Sequence, residues 1–470
     1  MLKDMNDTIA AVATPLGEGG IGIVRVSGSK ALKIADKIFL SRNAGKPSKF
    51  ASFSVHYGFI VDISRAGNNR SERKVIDEVL LTVMRAPRTY TKEDILEINC
   101  HSGIVALRKV LDVVLRNGAR LAQPGEFTQR AFLNGRIDLV QAEGVLNVIS
   151  AKTDIAFNSA LSQLRGGLSQ RINEIRVKLI EIIAPLEAAI DFPEEPQPKA
   201  NKIRLIARLE AVRENVCRLI ANADKGIMLQ NGISVVLAGA ANVGKSSIMN
   251  ALLDYERVIV THISGTTRDV VEEVINIDGV PVRIADTAGI EDSSCEITQQ
   301  SIRRSLLFLE RSDLVLFVLD ASRKLSEADM RVAERIKDKK VVVVINKTDL
   351  AQRLDITRVK KTLPKSPVIR VSALEKKGLP GLEKQIIRMF FRGEISAGSE
   401  MFVTTARQKE ALENCYQALL SAVEAARGNH YDECLLFELR QAVHAVNDVI
   451  GANINENVLD AIFSRFCIGK

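Results

Sequence analysis

Residues 239–246 read GAANVGKS, a complete G-x-x-x-x-G-K-S that directly follows the apolar run ISVVLA and precedes SIMNALL. Glycines at this spacing let backbone N–H groups curl around a phosphate, and the start of a helix adds its dipole. Lys245 can then reach the β- and γ-phosphates, and the Ser246 hydroxyl is a ligand for Mg²⁺. The segment predicts a nucleoside triphosphate site that includes Asn242, Val243, Gly244, Lys245, Ser246 and Ser247.

Three further segments, in chain order, predict that the base of this nucleotide is guanine. The first, DTAG at 286–289, follows VRIA; its aspartate can hold a water on Mg²⁺ and its glycine N–H can contact the γ-phosphate. The second, NKTD at 346–349, ends VVVVI, and its carboxylate can accept hydrogen bonds from N1–H and from an exocyclic amine that adenine lacks. The third, SAL at 372–374, offers a backbone N–H to the base. The predicted contacts are Asp286, Thr287, Ala288, Gly289, Asn346, Lys347, Asp349, Ser372 and Ala373.

The loop GTTRD at 265–269 is a candidate nucleotide-sensing switch. The Thr267 hydroxyl can complete the Mg²⁺ shell while the γ-phosphate is present and be released afterwards. Ile290 follows the DTAG segment at a position where a glutamine could orient the attacking water. The sequence therefore predicts that some other group orients this water.

The elements that must position these residues alternate between strand and helix patterns over 233–391, which predicts a parallel α/β sheet. The first 125 residues carry short β-branched runs around one helix, which is typical of an α+β domain. Apolar residues at three- and four-residue spacing predict helices over 130–190 and 201–228, and again after 391. We predict an α/β domain inserted into a helical domain, with segments 1–125, 126–228, 229–391 and 392–470.

The composition narrows the class of protein. Of 470 residues, 46% are hydrophobic and 26% are charged, with 65 basic against 57 acidic residues, a balance that weakly favours a polyanionic partner. Six cysteines without a CxxC pair indicate neither a disulfide framework nor a structural zinc site, and a reducing cytoplasm fits best. The N-terminus lacks a signal-peptide core and no apolar run is long enough to span a bilayer, so we expect neither secretion nor a membrane span.

The whole chain resembles the TrmE/MnmE family of tRNA-modifying GTPases. The resemblance rests on Asn242, GTTRD, DTAGI, NKTD and the terminal CIGK, and on the segments ATPLGEGGIGIVRVSG, YTKEDILEINCHSG, QPGEFTQRAFLNGRIDLVQAE and FPEE. It implies a multidomain α/β plus α protein with an N-terminal α+β domain that binds tetrahydrofolate, as the 5,10-methylene or 5-formyl form, and dimerises. A helical domain and an inserted Ras-like P-loop G domain complete the implied fold. Two G domains would meet in the GTP state with K⁺ bound.

The resemblance also implies roles for particular residues. The side chain of Asn242 would bind K⁺ together with oxygens of Thr261, Ile263 and Thr266, in a nucleotide-binding loop that also holds His262, Ser264 and Gly265. The folate site would use Arg25, Glu97, Arg136 and the terminal Lys470.

Two candidate catalytic residues carry open alternatives. The family's water-orienting glutamate aligns with Thr298, so either the loop shifts and Glu296 serves, or hydrolysis is slower or differently assisted. Cys467 is a candidate nucleophile, yet a lone cysteine near the terminus is more often a bystander, and the sequence gives no base beside it.

The implied activity is GTP hydrolysis stimulated by K⁺, in a heterotetramer with an FAD flavoprotein of the MnmG (GidA) type. The pair would add a carboxymethylaminomethyl or aminomethyl group to C5 of the wobble uridine of certain tRNAs. One alternative is a ribosome-assembly GTPase switch, which needs an RNA-binding module such as a KH domain; no KH-like segment with a GXXG loop is evident outside the G domain. A second alternative is a self-assembling mechanical GTPase, which predicts lipid or filament association, and no amphipathic basic segment is obvious.

Overall fold

The computed structural model describes residues 7–42, 45–62, 74–191, 202–255, 272–286, 308–391, 403–428 and 432–470. The chain divides into two compact units, one of residues 1–146 with 447–470 and the other of residues 147–446. Residues 447–470 thus pack with the N-terminal unit, and the domain boundaries at 125, 228 and 391 stay predictions. Among the described helices, none is both long and apolar enough to cross a bilayer.

The N-terminal unit is built on a seven-stranded sheet with strand order β3-β4-β5-β6-β2-β1-β7. Its strands are β1 Ile9–Val12, β2 Gly19–Ser27, β3 Phe39–Ser41, β4 Ser54–Asp62, β5 Lys74–Met84, β6 Ile95–Ser102 and β7 Arg120–Leu121. Helices α1 (Ala31–Ile38) and α2 (Ile104–Arg116) bury their apolar residues in the same core as the sheet. The sequence predicted an α+β domain but not β6, whose ILEINCHS places polar residues in a strand between β5 and β2.

Helix α3 (Glu126–Leu133) is fixed to this sheet by a buried ion network. Arg130 is 3% exposed and bonds to Glu93 at 3.0 Å, to Asp7 and to Glu126 at 3.1 Å, while Arg120 bonds to Glu126 at 2.6 Å. Burial raises the pKa of Glu126, but hydrogen bonds from both arginines and the Gln123 amide outweigh it and hold that pKa below its usual value. The Glu126 carboxylate therefore stays charged, and the network fixes α3 beside β1.

Residues 126–231 continue through helices α4 (Leu139–Ser150), α5 (Asp154–Leu164), α6 (Gly167–Asp191), α7 (Lys202–Ala221) and α8 (Ala223–Asn231). The predicted helical segment 201–228 is two helices, interrupted near Asn222. The further helices of the chain are α9 Lys245–Tyr255, α10 Glu327–Arg335, α11 Thr357–Thr362, α12 Leu379–Arg388, α13 Ala406–Arg427, α14 Asp432–Ile450 and α15 Glu456–Phe463.

Helix α13 packs along α7, so segments on either side of the α/β sheet contact each other. Arg427 bonds to Glu210 at 2.9 Å, and the Lys202 ammonium donates to the Arg427 carbonyl at 2.9 Å. Leu209, Val212 and Val216 of α7 are buried, as are Leu412 and Leu419 of α13.

The α/β sheet has six strands in the order β13-β12-β11-β8-β10-β9. They are β8 Ile233–Ala238, β9 Glu272–Ile277, β10 Val280–Asp286, β11 Leu314–Asp320, β12 Val341–Asn346 and β13 Val368–Arg370. The prediction of a wholly parallel sheet is wrong at one edge, because β9 pairs antiparallel with β10. Only Asp278 and Gly279 join them, with φ of +50° and +84°, and a two-residue turn permits only antiparallel pairing.

A polar cluster fixes the two points where the chain enters and leaves the α/β sheet. Gln230, just before β8, donates to the Asn147 carbonyl at 3.0 Å. Asn147 donates to the hydroxyl of Thr404, just before α13, at 3.0 Å, and that hydroxyl donates to Gln163 at 3.0 Å. Both connections are therefore held at one place in the helices, on α4 and α5.

Candidate functional site

The phosphate loop lies between β8 and α9 and depends on two glycines. Gly239 and Gly244 have φ of +154° and +94°. A Cβ at Gly239 would lie 2.4 Å from the Val318 carbonyl oxygen, and one at Gly244 would lie 2.3 Å from the Asn346 side-chain nitrogen. Any larger residue would clash at both places, so the loop shape requires the glycines of the motif.

Lys245 opens helix α9 and folds back over the loop. Its side chain is buried at 8% exposure, and its ammonium donates to the carbonyls of Gly239 at 3.1 Å and Ala240 at 3.0 Å. Ser246 follows it in the first turn of α9. The cation and the first N–H groups of the helix thus lie beside the same loop, which is an arrangement for binding an anion.

A cavity of about 470 Å³ adjoins this loop. The cavity is lined by five of the residues that are predicted to bind the nucleotide. Leu350 and Leu374, for which the sequence predicted no contact, also line it. Those five are Ser247, Asn346, Lys347, Asp349 and Ala373.

Asn346, at the end of β12, joins the phosphate loop to the loop after β13. Its amide nitrogen donates to the Val243 carbonyl at 3.1 Å, and its amide oxygen accepts from the Ala373 N–H at 3.1 Å. Beside it, the Ser372 hydroxyl donates to the Asp349 carboxylate at 2.5 Å. The structure thus brings together the three predicted segments around 242–247, 346–349 and 372–373.

Lys347 lies next to the phosphate loop in a left-handed conformation, with φ of +60°. Its ammonium donates to the Asn242 carbonyl at 2.9 Å and to the Asp320 carboxylate at 2.6 Å. Burial raises the pKa of Asp320, but hydrogen bonds from Lys347 and Ser322 outweigh it and hold that pKa below its usual value. The sequence reading missed Asp320, although it ends a buried strand just as Asp286 does.

Several predicted residues lie outside the described part of the chain. The backbone of Asp286 ends β10, where it pairs with Leu237 of β8, next to the phosphate loop. The predicted residues outside the described ranges are Thr261, His262, Ile263, Ser264, Gly265, Thr266, Thr267, Thr287, Ala288, Gly289 and Glu296.

A second constellation lies in the N-terminal unit, where Arg25 of β2 pairs directly with Glu97 of β6. The guanidinium donates to the Glu97 carboxylate from Nε at 2.9 Å and forms a 2.8 Å ion pair through Nη2. Its Nη1 donates to the Gly469 carbonyl at 3.1 Å, and its carbon lies 5.8 Å from the centre of the Phe127 ring. The structure thus joins two predicted folate residues to the C-terminal segment.

The guanidinium of Arg136 lies 4.8 Å from the centre of the Tyr90 ring. The Tyr90 hydroxyl and the Thr128 hydroxyl are 2.9 Å apart, and burial raises the pKa of Tyr90. Tyr90 also packs against the cluster that contains Phe127. The sequence reading missed both aromatic residues, although each stands in a segment quoted for the resemblance, YTKEDILEINC and GEFTQRAF.

The C-terminal segment 467–470 folds against β1 and α3. The Phe127 N–H donates to the Lys470 carbonyl at 3.2 Å, and the Lys470 N–H donates to the Cys467 carbonyl at 3.3 Å. Gly469 has φ of +97°, and a Cβ there would lie 2.3 Å from the Val12 carbonyl oxygen. The Cys467 side chain is exposed. Close packing of Gly469 is therefore what lets its carbonyl reach Arg25.

A Gly469→Ala variant is expected to loosen this segment. An alanine there would be strained by the left-handed backbone, and its Cβ would clash with the Val12 carbonyl. We expect a local destabilisation of about 1–3 kcal/mol, seen as hydrogen exchange of residues 463–470 that is about 10- to 100-fold faster. Gly118→Ala is the matched control, since Gly118 has φ of +111° and nothing lies within 4 Å of a Cβ there. Unchanged exchange in Gly469→Ala would contradict the packing described.

Comparison with known proteins agrees with the motifs. A family model described as the MnmE helical domain matches residues 139–467, and one described as the GTP-binding protein TrmE N-terminus matches residues 8–136. The tRNA modification GTPase MnmE of Geobacillus kaustophilus is 43% identical over 465 residues, which are 99% of each chain. Proteins of that name from Alkaliphilus oremlandii and Clostridioides difficile are 42% identical over 466 residues, 99% of this chain and 100% of theirs. The chain therefore belongs to the TrmE/MnmE family of tRNA modification GTPases.

Proposed function

We propose that this chain binds GTP with Mg²⁺ between the phosphate loop and the base cavity and hydrolyses it. The proposal rests on two hydrogen bonds of the Asn346 side chain. They join the Val243 carbonyl of the phosphate loop to the Ala373 amide of the loop after β13. Lys245 would neutralise the β- and γ-phosphates, and Ser246 would bind Mg²⁺. Asp286, Thr287, Ala288, Gly289 and Thr267 would complete the contacts to Mg²⁺ and the γ-phosphate.

Guanine would be recognised by the carboxylate of Asp349 and the backbone at Ser372 and Ala373. The carboxylate lines the cavity, and the Ser372 hydroxyl fixes its orientation with a 2.5 Å hydrogen bond. Two acceptor oxygens match the N1–H and amine donors of guanine, while adenine would leave them unsatisfied.

We infer that K⁺ is a further cofactor, held by the side chain of Asn242 and oxygens of Thr261, Ile263 and Thr266. His262, Ser264 and Gly265 would lie in the same loop. When bound, K⁺ supplies positive charge beside the phosphates, which an arginine finger supplies in other GTPases. The structure supports the ligand role of Asn242, because it stands in the phosphate loop with φ of +62° and its carbonyl is fixed by Lys347.

Hydrolysis is expected to be at least about 10-fold faster in KCl than in NaCl at equal ionic strength. Asn242→Gly should lose this difference, because glycine keeps the left-handed backbone at φ of +62° and removes the side-chain amide with its oxygen. Initial rates of phosphate release measure both. Equal wild-type rates in the two salts would overturn the potassium proposal.

Thr298→Glu, assayed alongside, tests which residue orients the attacking water. A faster rate places this role at position 298, and an unchanged rate leaves Glu296 as the candidate.

We further propose that GTP turnover drives cytoplasmic modification of tRNA at C5 of the wobble uridine, together with an FAD flavoprotein of the MnmG type. The one-carbon unit would come from a tetrahydrofolate bound at Arg25, Glu97, Arg136 and Lys470. Arginines suit the glutamate tail of a folate, and a carboxylate suits the N–H groups of its pterin ring. The contact of Arg25 with Glu97 and Gly469 supports this site. Cys467 remains a candidate nucleophile. Unaltered wobble uridine modification in a strain that lacks this protein would contradict the proposal.

We also propose that the chain is a homodimer through its N-terminal sheet. One face of β3, β4 and β5 exposes apolar side chains: Leu40 at 40%, Val55 at 58%, Tyr57 at 38% and Leu80 at 44%. The register places Tyr57 opposite Leu80, so these side chains share one surface. An apolar sheet face of this kind is typical of a surface that binds a partner.

A further inference from the structure

Asp320 is a buried acid beside the nucleotide cavity that the proposed function leaves without a role. It is 6% exposed and ends strand β11, which lies between β8 and β12 in the sheet. Strand β8 leads into the phosphate loop and β12 ends in Asn346, so Asp320 stands at the same edge of the sheet as both nucleotide loops. A charge buried at this edge needs a partner of opposite charge.

The carboxylate of Asp320 is held in one orientation. Its Oδ1 accepts from the Ser322 N–H at 2.8 Å and from the Ser322 hydroxyl at 2.7 Å. The backbone between them is itself fixed, since the Ala321 N–H donates to the Asn346 carbonyl at 2.9 Å. Because Ser322 occupies Oδ1, the other oxygen, Oδ2, faces the ammonium of Lys347 at 2.6 Å.

The Lys347 ammonium has two hydrogen-bond acceptors, and the residue also lines the base cavity. The ammonium is bound by Asp320 Oδ2 and by the Asn242 carbonyl, 2.9 Å away in the phosphate loop. Lys347 is also one of the residues that line the base cavity, as is Asp349. The backbone of Lys347 is left-handed, a conformation that costs free energy for a residue with a side chain and that its surroundings must hold in place.

We propose that Asp320 is a positioning residue for guanine nucleotide binding: it fixes Lys347 so that the lysine stem forms one wall of the base cavity while its ammonium holds the phosphate loop at Asn242. This inference rests on the proposed GTP site. Without the charge of Asp320, a single carbonyl would bind the ammonium, and the stem would be free to leave the cavity wall. The Asp320 side chain acts on the nucleotide site through its hydrogen bond with Lys347, which sets its expected effect apart from that of Asp349.

The test is the dissociation rate of a fluorescent GDP analogue from Asp320→Asn and from a matched control, Asp329→Asn. Asp329, on α10, is also a buried acid of this α/β unit, 1% exposed and bound by Ser326 and Arg323, and it is not among the residues that line the cavity. Loss of a charged hydrogen bond predicts release about 10- to 100-fold faster in Asp320→Asn. The control should release the analogue within about twofold of wild type, even where its melting temperature falls.

Base preference supplies a second readout, which separates a positioning residue from a residue that contacts the base. Asp320→Asn should weaken GDP and inosine diphosphate equally, whereas a change at Asp349, which is proposed to accept from the exocyclic amine, should weaken the two by different factors. Ser322→Ala keeps the carboxylate and removes one of its two orienting donors at Oδ1, so a smaller acceleration of release is expected even if Asp320→Asn fails to fold. Release from both variants within twofold of wild type would overturn the inference, whereas failure of the wild-type protein to bind GDP would overturn the proposed function instead.

Discussion

A Lys245→Ala variant is expected to lose GTP hydrolysis by a factor of about 10²–10³ or more. The ammonium of Lys245 lies within the phosphate loop on the carbonyls of Gly239 and Ala240, where a bound triphosphate would need its charge. Alanine keeps the glycines and the start of α9, so the loop amides remain and only the cation is lost. The value of kcat/KM for GTP measures this loss, since it compares the free enzyme with the transition state.

Lys340→Ala is the matched control for this result. Its ammonium lies 4.4 Å from the centre of the Phe390 ring in the same unit, with no part in the phosphate loop. The control should keep wild-type kcat/KM, because a cation–π contact of this kind contributes about 0.5–1 kcal/mol to stability at an exposed site. A Lys245→Ala variant that hydrolyses GTP within tenfold of wild type would refute the assignment of the phosphate loop.

The phosphate loop could be predicted from the sequence because its requirements are local. Its glycines, its lysine and the strand and helix on either side all fall within residues 233–255. Strands β8, β11 and β12 could be predicted for a related reason: they are buried on both faces and therefore read as continuous apolar runs. In both cases, a short stretch of sequence contains all the residues that determine the local structure.

The antiparallel edge of the sheet was mispredicted because alternating strands and helices usually indicate parallel pairing. The hairpin signal is present in INIDGVPV, where Asp278 and Gly279 separate two β-branched runs. Read by its turn residues, this segment predicts the observed pairing of Ile277 with Val280. The two-residue turn therefore determines the pairing at this edge, whatever the alternation of strands and helices in the rest of the sheet.

Other features depend on partners far apart in the chain, and no local pattern contains them. Arg25 bonds to Gly469 across 444 positions, and Lys347 bonds to Asp320 across 27. An apolar periodicity shows that α15 has a face to bury, but it does not show that the face covers Ala131 and Leu139 of the N-terminal unit. The family resemblance pointed to Arg25, which contacts Glu97 and Gly469, while Tyr90, Phe127 and Asp320 become evident only from contacts in the folded chain.

An Asp349→Asn variant is expected to exchange guanine for xanthine, with GTP affinity lowered at least about 100-fold and XTP affinity raised by a similar factor. The substitution replaces a carboxylate oxygen, which accepts a hydrogen bond, with an amide nitrogen, which donates one. Guanine presents an amine at C2, while xanthine presents a carbonyl there. Equilibrium titration with fluorescent GDP and XDP analogues measures both affinities in one protein. Unchanged GDP affinity would show that Asp349 does not contact the base.

The environment of Asp349 decides which way the new amide turns. The Ser372 hydroxyl donates to the Asp349 carboxylate at 2.5 Å and itself accepts from the Glu375 N–H at 3.1 Å. With an acceptor role already filled, this hydroxyl favours the amide oxygen of the asparagine as its partner. The amide nitrogen is then left facing the cavity, where it opposes the amine of guanine and matches the carbonyl of xanthine.

Ser372 should therefore control how complete the exchange is. In the double variant Asp349→Asn with Ser372→Ala, the amide has no hydroxyl to orient it and can turn its oxygen toward guanine. The preference for xanthine should fall by about 10-fold relative to Asp349→Asn alone, the worth of one charged or well-placed hydrogen bond. Ser372→Ala by itself keeps the carboxylate and should keep guanine. Equal preference in the single and double variants would mean that another group sets the orientation at this position.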